Sequence, residues 1–127
     1  MASELRVNTL KDASGNNSIA TSFVAGGSAK SWANFTGTGT IALTDSFNVA
    51  SLTDGGTGKY DTNFTNSMNN GTFAIHVNSD ANATNDAFNR TAGGSNNTTA
   101  KGHARHYESN SLADTALIIT TVHGDLA

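Results

Sequence analysis

The sequence predicts an all-β fold, an antiparallel β-sandwich or jelly-roll-like knob that follows an extended N-terminal arm. Three observations lead to this prediction. Short runs alternate between apolar and polar side chains, as strands with one buried face do. Glycine-rich turns separate these runs at intervals of about ten residues, which is typical of all-β proteins. Proline is absent, and apolar residues never recur at helical spacing over three turns, so we expect little helix.

Residues 1–27 predict an arm that is separate from the knob. Leu5 and Val7 alternate with polar residues like a short strand, and residues 12–17 form a turn. The segment has too few apolar residues for a core of its own, so we expect it to pack on other chains. A loose chain end is the alternative. The side chains expected to make the assembly contacts are Leu5, Val7, Leu10, Ile19, Phe23 and Val24.

The first half of the knob, which we assign to residues 28–127, has the clearest strand pattern. Ala33 and Phe35 share one face of the first strand, while Trp32 and Asn34 share the other. Glycine supplies the turns between strands because it adopts positive φ without steric cost. The strands predicted in this half are 28–35, 40–43, 46–54 and 59–64, the last with Tyr60, Thr62 and Phe64 on one side.

The second half of the knob is less regular. Met68 is expected to cap the core, and residues 80–101 lose periodicity, which predicts a long exposed excursion. Leu117 to Ile119 is apolar on both faces, as in a central strand or one covered by a neighbouring subunit. The strands predicted in this half are 72–79, with Phe73, Ile75 and Val77 inward, 103–108 and 114–124.

Composition limits the partners of the chain. Asn, Ser and Thr make up 47 of 127 residues and only 36% are hydrophobic, so the core must be thin and neighbours must supply further burial. The net charge of −3 leaves no basic surface for nucleic acid. The longest apolar run, Ala116 to Ile119, is too short for membrane insertion. The absence of Cys excludes disulfides and thiolate chemistry.

The region from Gly27 to Met68, preceded by residues 3–18, carries several distinctive motifs that are shared with a known family of proteins. The second half of the chain is similar to that family only in its layout. These motifs are Trp32-Ala33-Asn34-Phe35, Gly37-Thr38-Gly39-Thr40, Asp45-Ser46-Phe47-Asn48-Val49 and Asp54-Gly55-Gly56-Thr57-Gly58-Lys59-Tyr60. In these motifs the chain resembles tail-fibre-like virion structural proteins of bacteriophages, especially marine and cyanophage-type ones. The resemblance implies an N-terminal attachment arm, a β-rich knob and assembly as a homotrimer.

The sequence offers little support for catalysis. The G-x-S-x-G motif of serine hydrolases is absent. Sugar cleavage needs two acids flanking one bond, and Glu4 and Glu108 are the only glutamates. The aspartates expected to cap turns through their own backbone are Asp12, Asp45, Asp54 and Asp80. We therefore expect no enzyme activity, no catalytic residues and no cofactor.

Two segments have residue types that metals prefer. His103 and His106 are three apart, so on a regular strand they face opposite sides and cannot chelate one ion, although symmetry-related copies of one histidine could. Residues 80–86 alternate oxygen ligands like a calcium loop, but they lack the Gly and distal Glu of an EF-hand. Polar surface and turn chemistry explain both segments, so no metal is assigned.

Exposed aromatic residues beside polar groups are the remaining candidates for binding. Trp32 shares a strand face with Asn34, and Tyr107 lies close to His103 and Arg105. Such side chains suit a host glycan or protein, but an aromatic residue equally suits an anchor between subunits. We therefore predict Trp32, Tyr107, His103 and Arg105 as subunit anchors or ligand contacts, with the anchor preferred for Trp32.

These expectations together describe a virion structural protein, a tail fibre or spike-like appendage made in the host cytoplasm. The arm would dock on other virion proteins, and the homotrimeric knob would contact the host surface. A capsid decoration or head-fibre protein is the alternative. A carbohydrate-active tailspike enzyme is a weaker one.

Overall fold

The computed structural model describes residue 3 and residues 5–79, 96–108 and 110–127. Within these ranges the regular structure is nearly all antiparallel strand with one short helix, which confirms the all-β prediction. No helix in these ranges is long and apolar enough to span a membrane. The elements are β1 (Thr9–Leu10), β2 (Ile19–Ala20), α1 (Thr21–Gly27), β3 (Ser31–Thr36), β4 (Ala42–Phe47), β5 (Val49–Asp54), β6 (Lys59–Phe64), β7 (Ala74–Ser79), β8 (Lys101–Arg105), β9 (Tyr107–Glu108), β10 (Ser111–Leu112) and β11 (Ile118–His123).

Two antiparallel sheets form the body of the described chain. The larger sheet has the strand order β4-β3-β11-β7, and the smaller has the order β5-β6-β8. Strand β11 lies between β3 and β7, so Ile118 pairs with Phe35 on one side and with Ser79 on the other. Strand β11 is therefore central, one of the two placements that its apolar sequence predicted.

The core lies between the two sheets. The larger sheet contributes Phe35 and Ile118, and the smaller sheet contributes Tyr60 and Ala104. The rings of Phe35 and Tyr60 meet edge to face, with centroids 5.6 Å apart. A second cluster extends this core and consists of Phe64, Met68, Phe73 and Val122. Met68 is 1% exposed, so the prediction that it caps the core is confirmed.

Asn48 separates two strands that the sequence analysis joined. The predicted strand 46–54 is wrong, because Asn48 has a φ of 57° and ends β4 just before β5 begins. Its side chain stabilises the break by donating to Lys30 O at 3.0 Å and accepting from Asn66 N at 2.7 Å. Asparagine tolerates this left-handed conformation better than most residues. The chain therefore crosses from the larger sheet to the smaller one at this point.

The arm contains a small hairpin followed by a helix. The predicted alternation at Leu5 and Val7 is not a strand; the strands are β1 and β2, which pair with each other. The predicted turn between them is confirmed, and the Asp12 carboxylate accepts from Ser14 N at 3.1 Å and Asn16 N at 2.8 Å. Helix α1 was not predicted. It buries none of its residues, so no amphipathic pattern marked it in the sequence.

The remaining strand predictions are largely correct. Strand β6 has the predicted limits, and β7 begins two residues after the predicted start at residue 72. The strand expected at 40–43 begins at Ala42 and continues to Phe47. Of the predicted excursion at 80–101, residues 80–95 lie outside the described residues, and Lys101 already belongs to β8.

Candidate functional site

Asp61 is the centre of a charged cluster on the side of the smaller sheet that faces away from the core. Tyr60 and Thr62 are each 1% exposed and point into the core, so Asp61 between them points outward. One carboxylate oxygen of Asp61 lies 2.5 Å from His103 Nδ1, and the other lies 2.6 Å from Lys101 Nζ. Asp61 is 9% and His103 is 6% exposed, so this contact is shielded from water.

The hydrogen bonds of this cluster determine which nitrogen of His103 carries the proton. Arg105 Nε can only donate, and it lies 3.1 Å from His103 Nε2, so Nε2 accepts. Nδ1 therefore carries the proton and donates to Asp61. Because both ring nitrogens are engaged, His103 offers no free nitrogen to a substrate or a metal ion.

The neighbours of Asp61 keep its carboxylate charged. Burial raises the pKa of Asp61, but the hydrogen bonds from Lys101 and His103 and the charge of Lys101 outweigh burial and hold the pKa below its usual value of 3.8. A carboxylate that is ionised at neutral pH cannot donate a proton to a leaving group. The Lys101 side chain is 34% exposed, so water screens its ion pair with Asp61.

A second polar group connects β7 of the larger sheet to the chain beyond β8 of the smaller one. Ser79 Oγ lies 2.7 Å from His106 Nδ1, and His106 Nε2 lies 3.4 Å from Glu108 Oε1. This is the serine, histidine and acid order of hydrolases. However, 3.4 Å exceeds the usual N–H···O range of about 2.7–3.2 Å, and His106 is 1% exposed. The geometry suits a link between the sheets better than an activated nucleophile.

A third polar group holds the turn between β5 and β6 against the far end of the chain. Tyr60 donates its hydroxyl hydrogen toward Gly37 O at 3.1 Å and Asp114 Oδ1 at 3.0 Å. The same Asp114 oxygen accepts from Gly58 N at 2.8 Å. Burial and then the Asp114 carboxylate raise the pKa of Tyr60, so its hydroxyl stays protonated as a donor.

The outer face of the larger sheet consists of the side chains that point away from the core. One row across its four strands reads Phe47, Trp32, Thr121 and His76 by direct pairing. Phe47 is 53% exposed, Trp32 36%, and Ile119 on the same face 38%. The outer face therefore presents apolar and aromatic groups beside a hydroxyl and an imidazole.

Asn34 adds an unsatisfied acceptor to the outer face. It pairs with Ile119 on one side and with Asp45 on the other. Its Oδ1 is buried, and no hydrogen-bond partner for it is found among the described residues. A buried acceptor without a donor costs about 1–3 kcal/mol.

The predicted assembly residues of the arm are all exposed in a single chain. Their exposed fractions are Leu5 81%, Val7 38%, Leu10 43%, Ile19 43%, Phe23 74% and Val24 44%. An open groove of about 600 Å³ lies where the arm meets the larger sheet. Its lining residues are Ala25, Ser28, Ala29, Lys30, Phe47, Asp125 and Leu126. The groove thus connects the exposed arm with the exposed end of β4.

The structure separates the other predicted contact residues into three places. Trp32 lies on the outer face of the larger sheet, as its predicted strand face required. His103 and Arg105 lie together on the smaller sheet, and His103 is buried against Asp61. Tyr107 is half-buried in the β9–β10 hairpin. Asp61 was not predicted, because a single sequence carries no signal that shows which residue of another strand it faces.

Metal binding and similarity to known proteins give no further assignment. In the part of the chain that the structure describes, no group of three or more His, Cys, Asp and Glu side chains could hold a metal ion. His103 and His106 belong to separate hydrogen-bond groups. In comparisons with protein families, curated proteins and solved structures, nothing matches this chain.

Proposed function

We propose that this chain is a structural, non-enzymatic component of a bacteriophage virion, located in a tail fibre or a spike-like appendage. Residues 1–27 form the attachment and oligomerisation arm, and residues 28–127 form the knob, a sandwich of the jelly-roll type. Three copies associate as a homotrimer. The arm docks on other virion proteins, and the knob faces the host surface. The motifs between Gly27 and Met68 are the basis for the virion assignment.

The exposure of the arm is the observation that carries the assembly proposal. Phe23 is 74% and Leu5 is 81% exposed, and helix α1 buries none of its residues. Burying a large apolar side chain contributes about 1.5–3 kcal/mol, so an arm with six such side chains gains most of its stability from contacts with other chains. A short helix without tertiary contacts is marginal in water. The arm therefore orders fully only when it is docked.

The outer face supports the same proposal from the knob. Phe47, Trp32 and Ile119 expose apolar surface on this face. Large aromatic side chains of this kind dominate the binding energy of protein interfaces. Trp32 is therefore assigned as an anchor between subunits. Contact with a host glycan or protein is assigned to residues 80–101.

Two observations favour a structural role over catalysis. Both ring nitrogens of His103 are occupied by Asp61 and Arg105. His106 is 1% exposed and lies 3.4 Å from the acid that would orient it. A fluorophosphonate probe, which labels activated serines, is expected to leave Ser79 unlabelled. Labelling of Ser79 that is lost in Ser79→Ala would contradict the structural role and favour a hydrolase.

Native mass spectrometry tests the assembly proposal directly. The expected mass is three times that of the 13.0 kDa chain. A variant that lacks residues 1–27 is expected to keep a cooperative thermal unfolding transition while it loses incorporation into virions. Full-length protein that stays monomeric at every accessible concentration would overturn the trimer. Unchanged incorporation of the shortened variant would place the attachment site outside the arm.

Electron microscopy of labelled virions tests the location. A label on the C-terminus of the chain is expected on the tail or its fibres. A label distributed over the head lattice would replace the tail-fibre assignment with the capsid decoration or head-fibre alternative. Loss of host polysaccharide on incubation with purified protein would favour the tailspike enzyme instead.

A further inference from the structure

Two histidines that the sequence analysis did not single out lie side by side on the outer face. His76 is on β7 and His123 is on β11, two strands that pair directly. Thr121 pairs with His76, and His123 pairs with Ala74, so the two histidines occupy diagonal positions on the same side of the sheet. Their ring centroids are 6.4 Å apart with the planes at 85°.

This spacing matches what two imidazoles need around one ion. A metal–nitrogen bond is about 2.0–2.1 Å long, so two such bonds span about 4 Å. In a straight nitrogen–metal–nitrogen arrangement, the rest of the 6.4 Å between the ring centres is the distance from each ring centre to its own nitrogen, counted twice. A bent, tetrahedral arrangement requires the rings to approach by about 1 Å. Rotation about χ2 turns the ring nitrogens towards the ion and is soft, whereas the approach of the ring centres comes from rotation about χ1.

The other two of the four histidines in the sequence cannot compete for an ion in the same way. His103 uses both ring nitrogens within the Asp61 cluster. His106 is 1% exposed and lies between Ser79 and Glu108. His76 is exposed and His123 is half-buried, and both lie on a sheet whose register is fixed by pairing on either side of β11.

We propose that His76 and His123 together bind one divalent transition-metal ion, of the class that imidazole prefers, such as Cu²⁺, Ni²⁺ or Zn²⁺. Within the described ranges no third His, Cys, Asp or Glu joins the pair, so water completes the coordination. The proposal does not rest on the virion role, although His76 shares its row with Trp32, which the trimer proposal places between subunits. Its rigid sheet holds the two ligands close together before the ion arrives, which is the physical basis of chelation.

The single tryptophan of the chain provides a direct probe of this site. Trp32 pairs with Thr121, and Thr121 pairs with His76, so Trp32 and His76 share a row two strand spacings apart. Neighbouring strands lie about 4.7–4.9 Å apart, which places the two residues about 10 Å from each other. Paramagnetic Cu²⁺ quenches indole fluorescence at such short range. Binding at the histidine pair should therefore quench Trp32.

The experiment is a titration of tag-free, full-length protein with Cu²⁺ at neutral pH, followed by Trp32 fluorescence. We expect saturable quenching with one ion per chain, reversed by excess Zn²⁺. His76→Ala and His123→Ala should each raise the Kd about tenfold or more, and the double variant should abolish saturable quenching. Thr121→Ala, which changes the neighbouring side chain without removing a ligand, should retain it.

Three results would overturn the proposal. Saturable quenching that persists in the double variant would place the ion elsewhere, for example on the terminal amine. A Kd that is unchanged in one of the single variants would show that the two rings do not share an ion. The absence of saturable quenching in the natural chain would show that the pair does not bind metal. Thermal unfolding of each variant without metal verifies that the fold is intact.

Discussion

Replacing Asp61 with asparagine should lower the free energy of unfolding, because the side chain loses its charged contacts with two neighbours. The side-chain shape is retained, but the carboxylate charge between His103 and Lys101 is lost. A hydrogen bond to a charged group contributes about 1.5–3 kcal/mol and a neutral one about 0.5–1.5, so the His103 bond weakens by about 1–1.5 kcal/mol. The Lys101 pair is partly exposed and adds about 0.2–1 kcal/mol. We expect a total loss of about 2 kcal/mol.

Thermal and urea unfolding at neutral pH measure this loss. For a domain of this size, about 2 kcal/mol corresponds to a decrease in Tm of about 6–10 °C. Asp54→Asn is the matched control, because the Asp54 carboxylate is exposed and accepts only from Gly56 N among the bonds described, at 2.8 Å. The control should change the free energy of unfolding by less than about 0.5 kcal/mol.

The pH dependence provides an independent check of the same reasoning. The pKa of Asp61 is lower in the folded chain than its usual 3.8, so ionisation of Asp61 favours the folded state. That contribution is fully present above the unfolded pKa and is lost as the pH falls through the folded pKa. The stability difference between the natural chain and Asp61→Asn should therefore be full at neutral pH and shrink below about pH 4. A difference under about 0.5 kcal/mol at neutral pH, or one that persists in acid, would refute this account.

Three further substitutions test other parts of the structure. Gly58→Ala should lower the free energy of unfolding by more than about 3 kcal/mol or prevent folding, because the φ of Gly58 is +63° and the new Cβ would lie 2.8 Å from Ala113 N. Soluble protein with an unchanged Tm would contradict this prediction. Tyr60→Phe should lower the free energy of unfolding by about 1–3 kcal/mol in urea unfolding, since the buried carbonyl oxygen of Gly37 loses the Tyr60 hydroxyl as a donor. A change below about 0.5 kcal/mol would argue that the hydroxyl is unimportant. Phe23→Ser should leave the Tm of the dilute monomer within about 1 °C but weaken self-association at least about tenfold in sedimentation, because Phe23 is 74% exposed in the single chain. Ser22→Ala is its control, and equal association of the natural chain and both variants would remove Phe23 from the interface.

Alternation along single strands was enough to predict which side chains enter the core. Ala33 and Phe35 are buried while Trp32 remains on the opposite face, as the period of two requires. The same holds for Tyr60 within β6. The burial of these residues depends only on which face of their own strand is turned to the core, and the alternation of apolar and polar residues in the local sequence shows that face.

Local pattern failed where the backbone changed direction without an obvious turn signal. Asn48 interrupts a run whose alternation favours one continuous strand, and its side chain bonds to Lys30 O and Asn66 O, both far away in sequence. Helix α1 has no buried residues in the single chain, so it has no buried apolar face for a helical pattern to reveal. The contacts that fix the conformation of Asn48 are with residues far away in sequence, and α1 has no buried face that a local pattern could show.

Composition and periodicity by themselves determined the all-β class, the sparse core, the inward faces of the main strands and the exposed apolar residues of the arm. Only the tertiary structure decided which polar residues meet. Asp61 and His103 are on different strands, as are His76 and His123, and each pair depends on a register that many distant contacts set together. A register is a property of two strands at once, so a sequence read one strand at a time leaves it open.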